Sequence, residues 1–195
     1  YRDYKIQPLY KENIMAITTF SGPVRSKNGF INIGPGAVKA VTLATDLTVA
    51  DHAGRLVTMD PQGTPTAITI PAINATADSA VAGPGSDLNN PNTIGTTFEI
   101  LFIDDFTGTI KTANTADKFV GGVTIGIDAS VAGKQFIPAT ANNEVNLNGE
   151  AGASVATTGG LKGSRIKFTA IAANLYAVEG ELVGSGSIAT PFDSQ

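Results

Sequence analysis

The stretch SRIKFTAIAANLYAVEGEL, residues 164–182, decides the fold. Ile166, Phe168 and Ala170 alternate with Lys167 and Thr169, the period of two that gives a strand one buried and one wetted face. Asn174 falls where the chain must turn before the second run, NLYAVEGEL at 174–182. No helical spacing competes with this reading, so the segment is expected to form two paired strands.

Working outward, short runs rich in β-branched residues recur along the chain. They are VKAVTLAT (38–45), RLVTM (55–59), TAITIPA (66–72), TFEILFI (97–103), TIKTA (109–113), FVGGVTIGI (119–127) and EVNL (144–147). Asp60-Pro61-Gln62-Gly63 has turn chemistry, with proline at its second position. Asp104 to Gly108 is expected to turn 97–103 back on 109–113 as a hairpin. Asp46 to Gly54 reads as a polar connection with one helical turn started by Asp46 or Thr48. Short strands, frequent turns and no convincing amphipathic helix predict an all-β fold: an antiparallel β-sandwich or jelly-roll-like barrel with extended N- and C-terminal arms. No repeat of fixed length is present.

The flanks differ from this body, expected at 37–183. Residues 1–14, YRDYKIQPLYKENI, hold three of the four tyrosines, and Met15 opens a run that reads like a natural start. Lys11-Glu12 can be encoded as AAG-GAG, a bacterial ribosome-binding sequence, so 1–14 is either translated upstream DNA or a flexible arm. Residues 15–36 are punctuated by Gly22-Pro23, Asn28-Gly29 and Gly34-Pro35-Gly36 and read as an extended arm, with a small hairpin possible at Asn28-Gly29. The tail 184–195 shows no core pattern. Residues 73–96 form a long loop, a length that usually signals function or mobility. Arms that order on contact wrap large surfaces or add a strand to a neighbour's sheet. The candidate partner-binding residues are therefore Phe20, Val24, Arg25 and Phe30 in the first arm and Ile188 and Phe192 in the tail.

Chemistry-bearing residues are scarce. The chain has one histidine, no cysteine and no tryptophan, and charged residues make up 15% against roughly a quarter in an average soluble protein. His52 follows Asp51, but no Gly-x-Ser-x-Gly elbow accompanies it, and it reads as an exposed loop histidine or a residue of the first helical turn. Asp104-Asp105 lacks the converging oxygen ligands of a calcium loop and reads as turn chemistry, as do Asp78 and Asp87 in the long loop. Gly121-Gly122 and Gly159-Gly160 are not expected between a strand and a helix and lack the following Lys-Ser or Lys-Thr of a phosphate loop, so they suit bulges or bends. No catalytic, cofactor-binding or metal-ligating set is expected. A net charge of -4 argues against nucleic acid or an anionic membrane as partner. Without a basic segment followed by an apolar run near its start, the chain is expected to be soluble and intracellular when made.

Several segments carry a family resemblance. MAITTFSGPVRSKNGF (15–30) is similar to the start of many tailed-phage virion proteins encoded near the major capsid gene. LTVADHAGRLVTMDPQGTPTAITIPA (47–72), GTTFEILF (95–102) and GSRIKFTAIAANLYAVEGEL (163–182) resemble a β-domain common in phage structural proteins. The matching positions are Ala50-Asp51, Gly54, Leu56-Val57, Pro71, Gly95-Thr96 and Tyr176 to Gly180, with Tyr176 where the family often has Trp. The resemblance spans about residues 15–192 through diffuse, turn-based motifs. It implies a capsid decoration (cement) protein made in the bacterial host cytoplasm. Its expected partners are the major capsid protein and itself, as a homotrimer on the capsid exterior. The same β-domain occurs in head and tail fibres, which keeps a receptor-binding β-domain open as the alternative.

Overall fold

A computed structural model describes residues 37–61, 66–75, 93–127, 133–149 and 155–195. Within them the chain forms, in order, β1 (Val38–Val41), β2 (Thr45–Asp46), α1 (Val49–His52), β3 (Leu56–Met59) and β4 (Thr66–Ile70). It continues through β5 (Thr97–Phe102), β6 (Thr107–Thr112), β7 (Lys118–Ile127) and β8 (Lys134–Phe136). The last elements are β9 (Glu144–Asn148), β10 (Arg165–Ala172), β11 (Leu175–Gly184) and β12 (Phe192–Asp193). They build a seven-stranded sheet in the order β1-β3-β5-β10-β11-β7-β8 and a five-stranded sheet in the order β12-β9-β6-β4-β2. The fold is an all-β sandwich.

The hairpin at 164–182 forms as its alternation predicts. β10 and β11 pair antiparallel, with Lys167 opposite Glu179 and Phe168 opposite Val178. Asn174 takes φ 57°, the left-handed conformation that asparagine tolerates in a tight turn. Ile166, Phe168 and Ala170 point inward and are fully buried.

Elsewhere the strand partners differ from an antiparallel meander. The first six strands alternate between the sheets, so that β1, β3 and β5 are parallel neighbours in one and β2, β4 and β6 in the other. The chain winds as a coil before it reaches the hairpin, and the sheets are mixed. The expected hairpin between 97–103 and 109–113 is therefore a crossover. β5 lies in the seven-stranded sheet beside β3 and β10, and β6 lies in the five-stranded sheet beside β4 and β9. The crossover is held from inside: Phe102 and Phe106, on either side of the Asp104-Asp105 turn, are both fully buried with ring centroids 4.7 Å apart. Burying both aromatics in the space between the sheets stabilises a crossing that a surface turn would expose.

The interior is filled from both sheets. Val57, Met59, Phe98, Ile100, Ile166, Phe168, Tyr176 and Val178 come from one, and Ile68, Ile70, Ile110, Val145 and Leu147 from the other. Gly160 marks a close approach between backbone segments: its φ is 101°, and an added Cβ would meet the carbonyl oxygen of Phe106 at 2.5 Å. The Phe106 amide donates to Gly160 O at 2.7 Å, and the Gly149 amide donates to Phe106 O at 2.9 Å.

The C-terminal segment departs most from expectation. Residues 184–195 pack against the body instead of extending from it. Ile188 and Phe192 are each only 6% exposed and belong to the core. β12 pairs antiparallel with β9, and the Gln195 side chain donates to Thr112 O at 3.0 Å.

Candidate interaction surfaces

Of the six residues expected to bind partners, Phe20, Val24, Arg25 and Phe30 lie outside the described residues, as do 1–36 as a whole. Ile188 and Phe192 are turned into the protein's own core, so they hold the body together instead of meeting a neighbour. Their sequence context, glycine and serine with one proline, hid this because a two-residue strand is too short to show a period.

His52 is a structural residue. It ends the single turn α1, whose N-cap Thr48 accepts from the Asp51 amide through its side chain at 3.2 Å. The Thr48 amide donates to His52 Nδ1 at 3.0 Å, so the ring is neutral with its proton on Nε2. The ring is 6% exposed, and burial, reinforced by Lys39 and Arg55, pushes its pKa below the usual histidine value. This corrects the exposed-loop reading and keeps the helical-turn one.

Asp104 accepts from its neighbour's amide and Asp105 accepts from the Lys162 amide at 2.8 Å, which is turn and loop chemistry. Asp78 and Asp87 lie outside the described residues. Among the described residues no three His, Asp or Glu side chains converge to hold a metal ion.

Two surfaces stand out. The first is the end of the coil. Among the described residues β1 and β2 are the edge strands of their sheets, each paired on one side only, and β1 begins at Val38, near the start of the described chain. Val38 and Leu43, in this first coil, are 47% and 64% exposed. Unpaired backbone groups beside exposed apolar side chains make a surface suited to strand addition.

The second surface lies on the outer face of the seven-stranded sheet. Register places Glu99, Lys167, Glu179 and Gly122 in one row across β5, β10, β11 and β7, with Arg165, Glu181 and Thr124 in the next. Arg165 pairs with Glu99, and Lys167 Nζ lies 2.6 Å from Glu179 Oε1. These residues, with Gly180, line a groove of about 570 Å³. Alternating Lys and Glu at 165–181 signals an outward face in the sequence, but the groove itself needs the register of four strands to appear.

In comparisons with known proteins, no family model, no curated protein and no solved structure matches this chain.

Proposed function

We propose that this chain is a virion structural protein that binds the outside of a phage capsid as a decoration protein and stabilises the shell. One observation carries the reading: β1, near the start of the described chain, is an edge strand of the larger sheet. Among the described residues the outer edge of β1 has no strand partner, so its backbone offers an edge to which an extended segment of a capsid subunit can add. The resemblance of 15–30 to virion-protein starts supports it. A homotrimer at a three-fold position engages three such surfaces at once, and linkage raises overall avidity well above that of one contact.

The test is quantitative mass spectrometry of purified virions, counting this chain against the major capsid protein. A ratio near one, or a symmetry-related fraction of it, supports lattice-wide decoration. A handful of copies per particle moves the protein to a fibre or vertex, and absence ends the virion reading. Deleting residues 15–36 is expected to abolish capsid attachment while the body stays folded. Retained attachment would refute the arm mechanism.

A further inference from the structure

We propose that the groove on the outer face of the seven-stranded sheet binds a neutral, polyhydroxylated ligand, the chemistry of a saccharide chain. The site is separate from the coil end through which shell binding is argued. It lies across β5, β10, β11 and β7, four adjacent strands at and beside the centre of the larger sheet.

The floor exists because of Gly122. Its row neighbours Glu99, Lys167 and Glu179 project long side chains, while position 122 projects none. β8 enforces this, since a Cβ at Gly122 would meet the carbonyl oxygen of Phe136 at 2.5 Å. The resulting space of about 570 Å³ falls within the roughly 300–1,000 Å³ of small-molecule sites.

The Arg165–Glu99 and Lys167–Glu179 pairs each bridge two strands. Such exposed pairs contribute little to stability, on the order of 0–1 kcal/mol. They set the two cations beside carboxylates, so that donors and acceptors lie side by side along the groove.

Charge complementarity selects the ligand. Glu99, Glu179 and Glu181 stand against Arg165 and Lys167. A polyanion meets the carboxylates of Glu179 and Glu181, and a polycation meets the guanidinium and ammonium groups. An apolar ligand finds a lining made of charged side chains, one hydroxyl and glycine backbone. The unspent capacity is mixed: guanidinium N–H groups, ammonium N–H groups, carboxylate oxygens and the Thr124 hydroxyl. Glu181 makes no ion pair among the described residues. Vicinal hydroxyls, each donating and accepting without net charge, match this inventory.

The experiment is an amide-shift NMR titration of the full chain with maltohexaose, cellohexaose and N-acetylchitohexaose, with polyglutamate and polylysine as charged comparators. At least one neutral hexasaccharide is expected to shift the amides of Gly122, Thr124, Arg165 and Glu181 saturably. Glu181→Ala, at an exposed position, and Lys167→Ala, at a half-buried position on the outer face, are expected to weaken that binding tenfold or more while the fold stays intact. Three results would overturn the proposal: no saturable shift with any of the three sugars, shifts with a charged polymer alone, or shifts that follow protein concentration alone. The last identifies a second copy as the occupant. Virion copy number of Glu181→Ala is expected to match that of the unaltered chain, so failure here is distinguishable from failure of the shell-binding reading.

Discussion

The Tyr176 hydroxyl donates to the carbonyl oxygen of Pro71 at 2.8 Å, a bond between residues 105 positions apart. It joins β11 in the larger sheet to the residue just after β4 in the smaller one, with Tyr176 only 1% exposed. Burial, with the nearby Asp117 carboxylate, pushes the phenol pKa up, so the hydroxyl stays a donor at neutral pH. Tyr176→Phe keeps the packing and leaves Pro71 O without this donor. We expect a loss of about 1–2 kcal/mol in urea unfolding with an unchanged slope. An unchanged midpoint would show that the bond does not contribute.

Asp117 is the second tie between the sheets at this end. It is fully buried; Oδ2 accepts from the Ile73 amide at 2.9 Å, while Oδ1 has no hydrogen-bond partner among the described residues. Burial pushes the carboxyl pKa above 3.8. The folded state therefore binds the proton more tightly than the unfolded chain. The associated stability is complete below 3.8 and is lost as pH rises through the folded-state value. Asp117→Asn keeps an acceptor for Ile73 and removes the ionisation. It is expected to gain about 1 kcal/mol at pH 7 and to flatten the pH profile of stability above pH 4. A variant less stable than the parent at pH 7 would show that the ionised carboxylate has a partner worth keeping.

His52 acts with the opposite sign. Its folded pKa lies below the ordinary 6.5, so the unfolded chain takes the proton first as pH falls. Its contribution is complete above 6.5 and is lost toward the lower folded value. His52→Ala also removes the acceptor of the Thr48 amide. The expected cost is about 1–2 kcal/mol at pH 7.5, shrinking at pH 5. Thermal melts at the two pH values decide it, and an equal cost at both would exclude the titration.

Phe192 and Ile188 give a test of where the tail belongs. Phe192→Ala removes a 6% exposed aromatic from the core and is expected to cost about 3–5 kcal/mol. Chemical denaturation measures it. A cost under 1 kcal/mol would mean that the tail is detached in solution.

How far the sequence carried the fold depends on what each element needed. The β10–β11 hairpin was legible because its period of two, its turn and its partner all lie within twenty residues or so. The β5–β6 crossover was not. Alternation says that Phe98, Ile100 and Phe102 face inward, but it does not say which sheet the next strand joins, and a turn-rich pentapeptide serves either geometry. A helical turn started by Asp46 or Thr48 was visible from residue type, and the structure makes Thr48 the cap. That of His52 was not, because its burial comes from the tertiary fold around the turn. Ile188 and Phe192 were hidden by a segment with glycine, serine and proline composition, whose order comes from pairing with β9 and from Gln195 reaching Thr112. The groove residues were readable only as an outer face, since Gly122 and Glu99 become neighbours through strands far apart in the chain.

The coil end has a mechanical consequence. β1 is held to the sheet by one four-residue parallel ladder, Val38↔Leu56 to Val41↔Met59. Tension applied at Val38 falls first on that ladder, well away from the β10–β11 hairpin. A pull at Val38 would peel the outermost turn of the winding before it reached the aromatic interior. The protein would thus yield by paying out chain at one margin while the groove, which begins two strands away at β5, kept its shape.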